Sequence, residues 1–373
     1  MRTAAAKEVT LEQVMALAQQ HQAAGRLPEA RDLFERVLSA APQHPTVLTM
    51  LGSLAYQQGD EALGAAYLDR ALDVYSALSG AGPLEPAQSA AHANLLLARG
   101  RAAEAEAIMG AATLPLNPVR ASAEAFVARR DAARAANLPP ILITTMPKSA
   151  SESIWNRLAV GLSLAQSHVA IGLFPDCALV PHRVGLLAAG GVIAKEHILP
   201  TAHNLRALGA HGIARIVVHL RDPRQATLSW AHFVRDDIAR RPLAPIWRKI
   251  VPPASVLRRD LAATIDWCLE HYLPLLIGFV EDWLQVATGP AGGPEVRCLT
   301  FEGFRLAPER YLEGILQFYG IERGRFALNV GAEVVHLRKG ALDEWRVVFS
   351  RAQRRRANAA IPGALAVAVG WHS

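Results

Sequence analysis

Cysteine is scarce in this 373-residue chain. Cys177, Cys268 and Cys298 stand far apart and are odd in number. They suggest neither a disulfide framework nor a zinc site, and the default setting is a reducing, cytoplasmic one. Long apolar runs are missing as well. The most apolar stretches, such as residues 272–280, are too short or too interrupted by charge to cross a bilayer, so no transmembrane segment is expected. Residues 1–10 hold no apolar core of the kind a secretory signal needs. No dense basic stripe occurs. The one cationic run, Arg354-Arg355-Arg356, reads as a solvated helix face, and the net charge of +6 is mild for this length, so no nucleic-acid partner is expected. The Gly-x4-Gly-Lys-Ser/Thr phosphate loop is absent, and so is any metal-ligand spacing; no metal is expected.

What remains is a globular composition, 51% apolar and 19% charged, long enough for two or three domains. Residues 10–118 are helical and repetitive. Gly25, Gly59 and Gly100 each separate two helical patterns, spaced by 34 residues and then by 34 plus a seven-residue insertion placed near residues 79–83. In the first unit Ala30 and Phe34 follow the glycine and Pro42 closes the second helix. Gly52, Gly64, Leu68 and Ala71 fill the same slots in the second unit, and Ala105, Met109 and Ala112 in the third. Small residues suit close helix contacts and large ones fill the next groove. A 34-residue period of this kind resembles the tetratricopeptide repeat (TPR), here in about three units, and implies a surface for a peptide or protein partner.

Residues 119–138 read as a linker helix ending at Leu138-Pro139-Pro140. From 139 to 373 strands and helices alternate. Strands are expected at 141–145, 191–194, 213–220 and 295–301, and helices at 153–162, 201–210, 226–240, 257–286 and 308–319. Buried apolar strands between helices predict a parallel sheet covered on both faces, a three-layer α/β/α arrangement with ligands at the carboxyl ends of the strands.

The stretch Ile141-Leu142-Ile143-Thr144-Thr145-Met146-Pro147-Lys148-Ser149-Ala150-Ser151 then organises the rest. A strand, a loop of small residues and a helix start make an anion cradle, where backbone N–H groups, the helix dipole and Lys148 all favour negative charge. Three further stretches combine cations with a strand end or a glycine: Lys195-Glu196-His197-Ile198-Leu199-Pro200, Arg221-Asp222-Pro223-Arg224 with Ser229 eight residues after Arg221, and Arg338-Lys339-Gly340 with Trp345 beyond it. Together they would surround a ligand with several phosphates.

These four elements, in this order over roughly residues 139–356, resemble the sulfotransferases that use PAPS (3'-phosphoadenosine 5'-phosphosulfate). The resemblance implies a P-loop-like fold and transfer of a sulfuryl group from PAPS to a hydroxyl or amine, with PAP as product. It implies Lys148, Ser149, Ala150, Ser151 and Ser153 at the 5'-phosphosulfate, and His197 as catalytic base with Lys148 and Lys195 as catalytic cations. It puts Arg221, Ser229, Arg338, Lys339 and Gly340 at the 3'-phosphate and Phe301 beside the adenine. TPR units joined to such a domain are a bacterial arrangement. Three positions depart from the family pattern: Glu152 stands where a hydroxyl residue is usual, Ala150 where glycine is, and Phe301 where tyrosine is. Glu152 either opposes a phosphosulfate or turns outward. An alternative reading is a non-catalytic TPR interaction scaffold carrying a degenerate sulfotransferase-like domain. His182, His203, His219 and His232 have no comparable context and read as structural or, for His232, as acceptor-side. The acceptor has no recognisable code; segments 167–183 and 230–247 are its expected lining.

Overall fold

The computed structural model describes residues 10–24, 26–58, 60–119, 121–236, 249–289, 293–327 and 340–371. Gly25, Gly59, Arg338, Lys339 and the far end of the 230–247 segment lie outside the described residues. Six helices come first: α1 (Leu11–Ala23), α2 (Leu27–Ala40), α3 (Pro45–Gln58), α4 (Glu61–Ala81), α5 (Pro86–Ala98) and α6 (Ala102–Ala111). They pair as antiparallel neighbours, α1 with α2, α3 with α4 and α5 with α6. All of these starts except that of α6 are marked in the sequence. Thr10 and Gln13 form a capping box, Asp60 accepts from the Leu63 amide, and prolines open α3 and α5. The small slots are needed. A Cβ on Gly52 would stand 2.7 Å from Leu68 Cδ2, and one on Gly64 would stand 2.9 Å from the Tyr56 ring. The seven-residue insertion does not make a loop; α4 simply runs on to Ala81.

The second part contains β1 (Asn117–Pro118), α7 (Ala123–Ala135), β2 (Ile141–Thr145), α8 (Ser151–Gly161), β3 (Ala165–His168), β4 (Ala170–Ile171) and β5 (Ala178–Leu179). Next come α9 (Pro181–Ala188), β6 (Val192–Glu196), α10 (Ala202–Ala210), β7 (Arg215–Leu220), α11 (Pro223–Asp236), α12 (Ala254–Leu257) and α13 (Leu261–His271). The remainder is α14 (Leu273–Thr288), β8 (Glu295–Thr300), α15 (Phe301–Leu306), α16 (Pro308–Phe318), α17 (Glu344–Val348), α18 (Arg351–Ala360) and α19 (Gly363–Val369). The main sheet has the order β1-β3-β6-β2-β7-β8 and is parallel except at its edge, where β1 runs antiparallel to β3. Pro118, the last residue of the stretch read as repeats, is thus already a sheet residue.

Alternate residues of the central strands face opposite layers, as the pleat requires. Ile141, Ile143, Ile193 and Val217 pack with Trp155 and Leu158 of α8 and Leu312 and Ile315 of α16. Leu142, Val192, Ala194, Ile216 and Val218 pack with α9, α10, α11, α13 and α14 on the other side. The fold is therefore a helical repeat region followed by a three-layer α/β/α unit. The helix expected at 257–286 breaks at Tyr272, the C-cap of α13. Pro274 in the first turn of α14 lacks the N–H a continuous helix would use, so a new helix starts there. The missed β3 is short and half polar, with no apolar run to announce it.

Segment 167–183 lies differently from expectation. It carries the β4–β5 hairpin, which is buried between the α/β core, through Val169, Phe174, Cys177 and Leu179, and the repeats. Ile171, Ala178 and Val180 join one apolar cluster with Leu68, Leu96 and Met109. Gly172 donates its N–H to Asn94 Oδ1 of α5 at 2.8 Å, and Arg183 Nε donates to the Pro115 carbonyl at 2.7 Å.

Candidate functional site

The winding of the sheet reverses at β2: the chain reaches β3 and β6 on one side and β7 on the other. A crevice opens at the carboxyl ends of strands at such a point. The loop after β2, His197 after β6 and Arg221 after β7 all emerge there, and the register sets Thr144 opposite Glu196 and Thr145 opposite His219.

The loop is tightly wound. Lys148 and Ala150 both have left-handed backbones (φ 65° and 63°), and Ala150 occupies the cap position of α8. Among the described residues the N–H groups of Ala150 and Ser151 meet no acceptor. They lie at the positive end of the α8 dipole. The Ser149 hydroxyl is committed elsewhere. It is fully buried and donates to the Met146 carbonyl at 2.5 Å. In the ligand-free loop the Ser149 hydroxyl therefore braces the turn. Ser151 and Ser153 sit in the first turn of α8, largely buried.

Lys148 Nζ stands 3.9 Å from the centre of the Phe233 ring on α11. Lys195 has a closer commitment. Its buried ammonium donates to Glu152 Oε1 at 2.5 Å and lies 5.3 Å from the Trp155 ring. Glu152 thus turns neither outward nor onto the loop amides; it pairs with the second cation expected to serve the ligand.

His197 is half-buried. Its Nδ1 lies 2.7 Å from the Thr145 carbonyl, which only accepts, so Nδ1 carries the proton and Nε2 keeps its lone pair. Burial, and then the Lys195 charge, push the imidazole down to about 4, so it is neutral near pH 7. Glu196 next to it is turned inward. Burial alone would raise its carboxyl, but His168 and the N–H groups of Val169 and Ala170 hold it below the usual range.

Arg221 is buried and grips backbone. Nη1 donates to the Lys148 carbonyl at 2.6 Å, Nη2 donates to the Ala341 carbonyl at 3.0 Å, and the guanidinium lies 4.1 Å from the centre of Phe301. Phe301 is 1% exposed. The guanidinium thus covers one face of the ring expected beside the adenine. Gly340 has φ 63°, a backbone where glycine carries no Cβ penalty, and it leads into the segment that Arg221 holds. Trp345 is buried between the guanidiniums of Arg224 (4.2 Å) and Arg346 (4.5 Å). Arg224 is locked on Asp222 with Nη2 to Oδ2 at 2.7 Å, so it belongs to the frame of the site. Ser229 is half-buried two turns along α11.

Two side chains were missed as site elements. His219 is fully buried and donates from Nε2 to the Ser149 carbonyl at 2.6 Å. The Tyr311 hydroxyl on α16 donates to its Nδ1 at 2.7 Å. A histidine two residues before Arg221 at the end of an apolar strand was the available signal. Among the described residues no group of three or more His, Cys, Asp or Glu is placed to hold a metal, and no helix is long and apolar enough to cross a membrane.

A family model for the tetratricopeptide repeat matches residues 11–54. No curated protein sequence matches the chain. Several solved structures resemble it, two of them sulfotransferases. One is a mouse sulfotransferase, SULT7A1, complexed with PAP, at 15% identity and a TM-score of 0.41, covering 66% of this chain and 92% of that one. The other is a sulfotransferase from Alicyclobacillus acidocaldarius, at 17% identity and a TM-score of 0.26, covering 67% and 97%.

Proposed function

We propose that this chain transfers a sulfuryl group from PAPS to a hydroxyl or amine of an acceptor, by in-line displacement with His197 as base. The observation that carries the reading is the 2.7 Å contact of His197 Nδ1 with the Thr145 carbonyl, which leaves Nε2 as the basic nitrogen. The Nε2 lone pair is held at the end of β6, beside a loop whose free amides and Lys148 suit an anion. In the transfer the sulfur leaves the 5'-phosphate oxygen and bonds the acceptor oxygen or nitrogen. The acceptor proton passes to His197 Nε2, and Lys148 and the α8 amides offset the charge on the departing phosphate. The residues fit a phosphosulfate because the left-handed Lys148 and Ala150 curl the loop around a point that the Ala150 and Ser151 amides leave open. Arg221, and Lys339 with Arg338 beyond the described residues, are the proposed 3'-phosphate side. We read residues 10–118 as the repeat region, 119–138 as the linker and 139–373 as the catalytic part.

Binding of PAP followed by calorimetry tests the first half of this reading, and transfer of label from PAPS to acceptor fractions tests the second. His197→Ala is expected to lower transfer by about 10²–10⁴-fold while PAP affinity stays within threefold. No PAP binding at millimolar concentration would remove the proposal. A second reading, a non-catalytic TPR scaffold, is favoured by one observation only: the pairing of Lys195 with Glu152.

A further inference from the structure

The cradle loop is held from behind by two buried side chains that its own sequence does not contain. A trans peptide directs its carbonyl and the following N–H in opposite directions. His219 holds the Ser149 carbonyl at 2.6 Å, beneath the loop, so the Ala150 N–H is aimed away from the buried ring. Arg221 holds the preceding carbonyl, that of Lys148, also at 2.6 Å. Two consecutive peptide planes are thereby fixed in a stretch where two non-glycine residues adopt left-handed backbones. Such backbones persist only where their surroundings over-determine them. The imidazole can serve as a donor to a carbonyl only from a protonated Nε2. The Tyr311 hydroxyl, donating to Nδ1, selects that tautomer.

We propose that His219 is a positioning residue, oriented by Tyr311, that turns the Ala150 N–H toward the anion bound at the start of α8. The inference rests on the reading of that loop as a phosphosulfate cradle. His219 never touches the ligand; it acts through the Ser149–Ala150 peptide. Tyr311 lies on α16, so the outer layer of the fold reaches the cradle through a single ring.

Two measurements on the full chain separate the anchor from the function. The first is amide hydrogen exchange in the peptide spanning residues 146–153, without ligand. His219→Leu is expected to speed exchange there at least tenfold, and Tyr311→Phe to speed it about threefold. The second is calorimetric titration with PAP. His219→Leu is expected to weaken binding about tenfold, and His219→Gln, which keeps an N–H donor, to restore it to within threefold of the unmutated chain. Unchanged exchange in both His219→Leu and Tyr311→Phe overturns the inference, and so does a His219→Gln variant as impaired as His219→Leu. Tyr311→Phe preserves the ring and its packing, and keeps the test decisive if His219→Leu fails to fold. If the unmutated chain binds no PAP while exchange responds as expected, the anchor stands and the proposed function falls.

Discussion

Removing the charge of Glu152 while keeping its shape, by Glu152→Gln, changes two energies in opposite directions. In the ligand-free protein Lys195 is 6% exposed and its ammonium meets Glu152 Oε1 at 2.5 Å. The Glu152 side chain is 32% exposed, so solvent screens the pair and its net worth is about 1–2 kcal/mol rather than the several expected for a dry one. Glu152→Gln should therefore lower the melting temperature by about 2–4 °C. The bound state responds the other way. An anion on the first-turn amides of α8 would lie about one helical turn, roughly 5–6 Å, from the Glu152 carboxylate. At an effective dielectric of about 20–40 that repulsion is about 1.5–3 kcal/mol per unit of ligand charge. Its removal, with Lys195 released to the ligand, is expected to tighten PAP binding ten- to hundredfold. A thermal scan with and without PAP, paired with calorimetry at one ionic strength, reads both effects. The ligand-free midpoint should fall and the PAP-induced rise should grow. A threefold or greater loss of PAP affinity would refute the reasoning, because the carboxylate would then support the site by holding Lys195 in place.

Ala150→Gly should relieve a left-handed backbone at φ 63° and stabilise the protein by about 0.5–1 kcal/mol, seen as a higher urea midpoint at unchanged slope. Acid should destabilise the fold through His219. Its folded value lies near 4, against 6.5 when exposed, because burial outweighs its bond to the Ser149 carbonyl and the Arg221 charge adds to the fall. The unfolded chain then binds more protons between pH 4 and 6.5. Stability is full above about 6.5 and falls as pH drops toward 4, by at most about 3 kcal/mol for this residue. Urea titrations at pH 5 and pH 7 should show the loss, and His219→Gln should shrink it. Asn94→Ala removes the acceptor for the Gly172 amide and should raise hydrogen exchange in 167–183 by roughly fivefold, a change of about 1 kcal/mol in local opening. Equal exchange in the two proteins would mean that the Asn94 bond adds nothing to the packing and other polar contacts that hold the hairpin.

The parts legible in the sequence are those whose signal is local. The loop after β2, the Lys-x-His pair at the end of β6 and Arg221 after β7 each announce themselves within a few residues, and the strand run at each one fixes where it emerges. The contacts that set their chemistry are not local. Lys195 and Glu152 are 43 residues apart, and Tyr311 reaches His219 across 92. Glu152 stood out as unsuited to a phosphosulfate loop, but the partner that accommodates it is visible only once β6 lies beside β2. Phe301 was read from its type as a stacking surface, and only the fold puts the Arg221 guanidinium on its face. Pro274 did signal the break between α13 and α14, yet the apolar periodicity on both sides of it masked the boundary.

The hairpin changes what the repeats are for. The inner helix of the third unit, α5, is covered by β4–β5, with Asn94 bonded to Gly172 and Ile171 inside the shared apolar cluster. The same hairpin reaches the sheet from its other end. Val169 and Ala170 donate their N–H groups to Glu196, the residue before His197. A continuous path of packed groups therefore runs from the repeat helices through the hairpin to the end of β6. Glu196 is 6% exposed, and its carboxylate has few alternatives to those two amides and His168. Withdrawing the hairpin would leave a buried charge with only part of its partners, which is costly enough to couple the two regions. The third repeat thus packs as a wall of the α/β unit.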